Sequence, residues 1–185
     1  VHTDEPEHAL ELGRAVGVVD PARIEVSDMH SQAAERERWL AQLQAAATAP
    51  PTTSALVAVA QGAGNREILR GEGAQIVVDG GATANPSVGQ LLEAITAVNA
   101  EQVIVLPNSG NVIMAAERAA ELSEKTVKVV ETRSLQAGLA CLVEHRTDDH
   151  VEQNAQRLSE VLQQIRTGWV APAARDDKKG RYRAG

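Results

Sequence analysis

From Ser54 onward, short aliphatic runs alternate with stretches of helical spacing. Ala55-Leu56-Val57-Ala58-Val59-Ala60, Ile76-Val77-Val78, Val103-Ile104-Val105-Leu106 and Val127 to Val130 are apolar runs of strand length, the pattern of parallel strands covered on both faces. Between them, Asn65 to Leu69, Ser87 to Val98, Asn111 to Leu122 and Ser134 to Glu144 read as helices. A last helix from about Asp148 to Arg166 places Val151, Leu158, Val161, Leu162 and Ile165 toward one face of the sheet. The alternation predicts an α/β domain over residues 54–172, with a mainly parallel four-stranded sheet and helices on both faces.

The pattern before Ser54 is different. Thr3 or Asp4 can cap a helix whose Pro6 suits a first turn, Ala9, Leu10, Leu12, Ala15 and Val16 supply its apolar stripe, and Gly17 ends it. Ala22 to Met29 alternates apolar with polar residues, as a half-buried strand does. One helix and one strand cannot enclose a core, so residues 1–31 are expected to be a small α+β remnant of a neighbouring domain. Gln32 to about Ala49 is rich in Ala, Glu, Gln and Arg and reads as a connecting helix, stopped by Pro50-Pro51. Residues 32–53 are then a linker helix with a proline-rich end, and 173–185 a tail. A start at Val1 and a stop at Arg183-Ala184-Gly185 suggest a piece of something longer.

Composition narrows the function. With 18 Lys+Arg against 25 Asp+Glu, a net charge of -7 and 43% apolar residues, the chain is an acidic globular protein. Its basic residues are scattered except between Arg175 and Arg183, which argues against nucleic acid as a partner. No apolar run approaches the roughly 20 residues of a bilayer span, and the amino terminus has no signal-peptide character. No stable membrane insertion and a cytoplasmic location are therefore expected. The single cysteine, Cys141, excludes an internal disulfide; it lies among Leu135, Leu139, Leu142 and Val143 and reads as a small buried hydrophobe. His8, His30, His145 and His150 form no metal-like pairing with it. Neither a nucleophile elbow nor a Walker loop occurs, which leaves no catalytic residue to name.

Open α/β sheets bind ligands beyond the carboxyl ends of their strands, so the loops there carry the chemistry. Gly62 and Gly64, with Asp79 ending the next strand, suggest a dinucleotide fingerprint, but Glu67 replaces its third glycine and a plain strand-to-helix turn accounts for the loop better. The loop after the second strand is richer. Gly80-Gly81 permits unusual backbone angles, Thr83 and Ser87 offer hydroxyls, and Pro86 can begin a helix whose amides suit a carboxylate or phosphate. The plainer alternative is that Asn85 or Ser87 merely caps that helix. Gly80, Gly81, Thr83, Asn85, Pro86 and Ser87 are expected to lie side by side with Asn108 and Asn111, as loops after adjacent parallel strands do, and to form an exposed recognition surface.

Three ordered motifs, Asp79 to Ser87, Val105 to Ala116 and Leu135 to Ala140, closely resemble the carboxy-terminal domain of the ATP-binding subunit of fatty acid kinase, in the dihydroxyacetone kinase-like or DAK2-domain family. Gly168 and Ala173-Ala174-Arg175-Asp176 are similar to its later segment. The resemblance implies a fold like the amino-terminal domain of DegV-type (EDD) proteins. It also implies that ATP and Mg belong to a kinase domain outside this chain, that a middle domain makes the full-length protein a homodimer, and that the partner is a separate DegV-type fatty-acid-binding carrier. On this reading the chain is a non-catalytic region that docks the carrier so that its fatty acid is phosphorylated. The alternatives are a fatty-acid or anion-binding module in its own right, which a long apolar tunnel behind the second loop would mark, or part of a glycerone (dihydroxyacetone) kinase. Val1-His2-Thr3 resembles the end of the family's His-x-His-Thr zinc element, of which His2 would supply one ligand of the usual four. Ala82, Ala84, Ser109-Gly110 and Leu135 depart from the family pattern.

Overall fold

The computed structural model describes Thr3 and residues 5–17, 29–81 and 85–168, and the chain divides into two compact units, 1–41 and 42–185. In the first unit, helix α1 spans Pro6–Ala15, with the proline in the first turn where no partner for its amide is needed. Gly17, at φ 71°, follows its end. Helix α2, Met29–Thr48, begins in this unit and ends in the second. The strand expected from Ala22 lies outside the described residues, apart from Met29, which opens α2.

The second unit runs β1 (Ser54–Ala60), α3 (Ala63–Gly71), β2 (Ile76–Asp79), α4 (Val88–Ala97), β3 (Gln102–Leu106), α5 (Ile113–Leu122), β4 (Thr126–Val129), α6 (Leu135–Glu144) and α7 (Val151–Gln164). All strand pairs are parallel, in the order β2-β1-β3-β4. Every residue of β1 is buried, as befits the longest and most apolar run at the sheet centre. β4 alternates exposed with half-buried positions, as an edge strand does. Helices α4 and α5 pack together and against β2 and β4. A separate core joins Leu56, Ile104 and Leu106 of the sheet to Leu69 of α3, Leu142 of α6 and Leu158 of α7. Each of these buried leucines and isoleucines contributes about 1.5–3 kcal/mol. The sheet is thus covered by helices on both faces, as the uninterrupted apolar runs predict.

Strand order corrects one expectation. β1 stands between β2 and β3, so the loops after β2 and β3 are not neighbours; the loop after β1 comes between them. The chain leaves β1 toward β2, then crosses back to β3, and this reversal opens a crevice at the carboxyl edge.

Two other borders of the sheet, the open side of β2 and the amino edge, carry polar contacts. At the open side of β2, Gln42 Nε2 donates to the Val77 carbonyl at 3.2 Å while its Oε1 accepts from Arg70 Nε at 2.7 Å, which covers part of an otherwise unpaired edge. At the amino edge, the fully buried Asn154 donates to Ser54 Oγ and the Arg146 carbonyl, both at 2.8 Å, and accepts from Arg146 N at 3.1 Å and Arg157 Nη1 at 2.8 Å. Arg157 also pairs with Asp149, and His145 Nε2 lies 3.3 Å from Ser54 Oγ. Ser and His are therefore adjacent here, but Ser54 is fully buried; the network ties the start of β1 to the α6–α7 connection.

Candidate functional site at the carboxyl edge

A cleft of about 740 Å³ opens beyond the carboxyl ends of the strands. Gln61 and Asn65 reach it from the loop after β1, Gly80 and Asn85 from the loop after β2, residues 107–112 from the loop after β3, and Arg133 to Gln136 from the loop after β4. Thr167 and Gly168, just past α7, complete its wall. Val59 and Ala60 form part of the floor, and Val57, Val105 and Leu106 behind them are fully buried. The floor is therefore packed sheet, and the walls mix amide and hydroxyl side chains with glycines and the apolar Pro107, Val112 and Leu135.

Of the expected surface, Gly80, Asn85, Asn108 and Asn111 meet in this cleft. Gly80 is tightly enclosed: a Cβ there would stand 3.0 Å from Gln61 Cγ and 3.4 Å from the Ala60 carbonyl carbon. Gly81, Pro86 and Ser87 do not line it. Gly81, at φ 62°, donates its amide to Asp79 Oδ1 at 3.0 Å, and Pro86 is buried. Ser87 Oγ accepts from Gln90 N at 3.1 Å while Gln90 Oε1 accepts from Ser87 N at 2.9 Å, a capping box that starts α4. The plainer reading of Ser87 is what the geometry shows. Thr83 lies outside the described residues. Asp79, the candidate ribose acid, is engaged with Arg66 at 2.6 Å.

Asn108 departs furthest from expectation. It is half-buried rather than exposed and holds φ 55°, the one positive φ among the described non-glycine residues. Its amide donates to Thr132 Oγ1 at 3.0 Å and its Nδ2 to the Val59 carbonyl at 2.9 Å. These bonds join the loops after β3 and β4 to the end of β1, so Asn108 builds the cleft before it can serve a ligand. Asn tolerates this backbone region better than other side chains do.

Arg133 is the residue that sequence reasoning alone does not single out. It is the one charged side chain among the described lining residues. Its Nη2 lies 2.8 Å from Glu131 Oε2, with the two side chains 68% and 54% exposed. Its Nη1 lies 3.6 Å from the place a Cβ on Gly110 would take. Nearby, Ser134 Oγ caps α6 by accepting from Ala137 N at 3.2 Å, whereas Val112, the N-cap residue of α5, makes no side-chain cap. Among the described residues no group of three or more His, Cys, Asp or Glu is placed to hold a metal ion; His2 lies outside them. Nor, among them, is any helix long and apolar enough to cross a membrane.

A family model for the FakA-like C-terminal domain of fatty acid kinase matches residues 55–183. The chain belongs to that family. An uncharacterized protein of Staphylococcus saprophyticus is 31% identical over 179 residues, covering 96% of this chain and 32% of its own length. Protein YloV of Bacillus subtilis is 30% identical over 177 residues, covering 95% and 32%. A Staphylococcus aureus relative is 26% identical over 179 residues. The chain thus spans about a third of the length of the curated relatives it matches. The FakA-like match starts one residue into β1, so every loop of the cleft lies inside it.

Proposed function

We propose that this chain is the non-catalytic carboxy-terminal region of the kinase component of a fatty acid kinase, and that its carboxyl-edge cleft docks a DegV-type fatty-acid carrier. ATP and Mg would be held by a kinase domain elsewhere in the whole protein, zinc and homodimer contacts by a middle domain, and the assembly would work in the cytoplasm. The observation that carries this reading is the open cleft of mixed polar and apolar lining, rich in amide and hydroxyl side chains, standing on a packed floor. Burying an acyl chain calls for an enclosed apolar cavity, whereas an open surface of mixed polarity suits a second protein, whose interfaces are no more apolar than ordinary surface and hold many hydrogen bonds.

The test uses the full-length kinase with a purified DegV-type carrier loaded with fatty acid. Asn85→Arg and Asn111→Arg alter exposed rim positions. Carrier-dependent phosphorylation should fall at least about 10-fold, the scale on which replacing a central interface residue weakens a complex, while ATP binding and Tm stay unchanged. Normal turnover in both variants removes the docking role. Dihydroxyacetone serves as the control substrate: its phosphorylation without carrier would instead make the parent a glycerone kinase.

A further inference from the structure

We infer that the cleft contains an oxyanion subsite centred on Arg133, built for a carboxylate or phosphate group, with the Glu131 carboxylate as its internal stand-in. The inference rests on the reading of the carboxyl-edge cleft as the working surface of the domain, and adds the chemistry it selects.

Charge distribution is the first ground. The chain has 25 Asp+Glu and a net charge of -7, yet no described lining residue is acidic and Arg133 is the one cation. Glu131, which pairs with Arg133, is not itself a lining residue, so once it is displaced the described lining carries a net positive charge that attracts anions.

The second ground is what Arg133 holds. Its partner is a carboxylate two residues away, in a pair whose side chains are both more than half exposed. Such an exposed pair contributes little, so an incoming oxyanion displaces Glu131 at little cost. A guanidinium offers a planar fork that matches carboxylate and phosphate oxygens two at a time. Gly110 lies beside the guanidinium, with Arg133 Nη1 3.6 Å from the point where a side chain there would begin. The rim residues Asn111 and Gln136 bring neutral amide donors to the same cleft.

The 185-residue chain is titrated with sodium phosphate and, separately, with sodium acetate, against sodium chloride at matched ionic strength, and followed by NMR at the Gly110 amide and the Arg133 guanidinium. A saturable shift with either anion and not with chloride is expected; a response to acetate alone identifies a carboxylate site, and to phosphate alone a phosphoryl site. Arg133→Gln should weaken binding at least about 10-fold, and Glu131→Gln should tighten it by up to about 5-fold, because the internal competitor is gone. No saturable shift with either anion, or equal binding by Arg133→Gln, overturns the subsite. Docking is separated from it by the carrier assay. Intact carrier-dependent turnover in full-length Arg133→Gln, with no anion response, sinks the subsite and leaves docking. Saturable binding lost in Arg133→Gln, with normal turnover in the Asn85 and Asn111 variants, does the reverse.

Discussion

A Cβ on Gly138 would stand 2.6 Å from both Cγ and Nδ2 of Asn108, and closer still to its Oδ1. The loop after β3 and the first turn of α6 therefore fit together only because residue 138 has no side chain. Asn108 cannot easily withdraw, being held by Val59 and Thr132 at φ 55°. Its Oδ1 is buried without a hydrogen-bond partner among the described residues, which is the cost of this close approach.

Gly138→Ala should therefore destabilise the domain, by up to about 2 kcal/mol. Overpacking costs about 1–3 kcal/mol, and with three Asn108 atoms inside contact distance the cost lies toward the upper end, so the roughly 1 kcal/mol gained by replacing glycine within a helix offsets only part of it. In an Asn108→Gly background the clash partner is absent and glycine accepts φ 55° freely, so the penalty should vanish. Urea denaturation of the four proteins of this cycle reads the coupling; additive effects would mean that the two residues do not meet.

Thr132 is fully buried and its hydroxyl accepts the Asn108 amide. Thr132→Val keeps the shape but leaves that amide without its acceptor, at about 1–3 kcal/mol. The loss should appear in urea denaturation, accompanied by faster exchange of the Asn108 amide proton. A variant as stable as the parent would show that water replaces the hydroxyl.

Strands β1 to β3 are legible in the sequence because burial on both faces forces continuous apolar runs, and even the edge strand β4 shows through Val127 and Val129. Helix α4 is legible from Ser87 because its cap is a local interaction. Helix α3 starts at Ala63, two residues before the expected Asn65, because Gly62 at φ 81° makes the turn that its neighbours then leave; glycines read as breakers hide such a start. The cleft is only half legible. Strand order is a tertiary fact, so nothing local reveals that β1 parts β2 from β3. Asn108 looks like a free amide since its partners, Val59 and Thr132, are 49 and 24 residues away. Arg133 escapes sequence reasoning because it becomes the sole cation among the described lining residues only once the loops have met.

Cys141 is fully buried, and burial pushes its thiol up to about 11. The thiolate is the reacting species, so alkylation at pH 8 should proceed only through opening of the fold. Its rate should rise with urea in parallel with the unfolded fraction and, in water, fall far below that of a small free thiol. Labelling at the free-thiol rate would contradict the packing of α6 on α7.

His145 gives the fold a pH dependence whose sign is fixed. Burial chiefly, and then the charge of Arg157, lower its pKa from 6.5 to about 4, with Asp149 pulling weakly the other way. Between those values the unfolded chain carries a proton that the folded chain refuses, so stability rises with pH across the window. The contribution is complete above pH 6.5 and disappears as pH falls toward 4. A displacement of this size corresponds to at most about 3 kcal/mol, and to roughly 1–2 kcal/mol for a ring still partly in contact with solvent. The ring contacts Ser54 at 3.3 Å and faces the Arg157–Asp149 pair, so protonation would set a second cation against Arg157 at the start of β1. Denaturation free energies measured at pH 7, 5.5 and 4.5 should fall more steeply for the parent chain than for His145→Gln, which keeps a polar group at this position but cannot titrate. Parallel curves for the two proteins would assign the acid sensitivity to the carboxylates and leave His145 as a neutral filler of the amino edge.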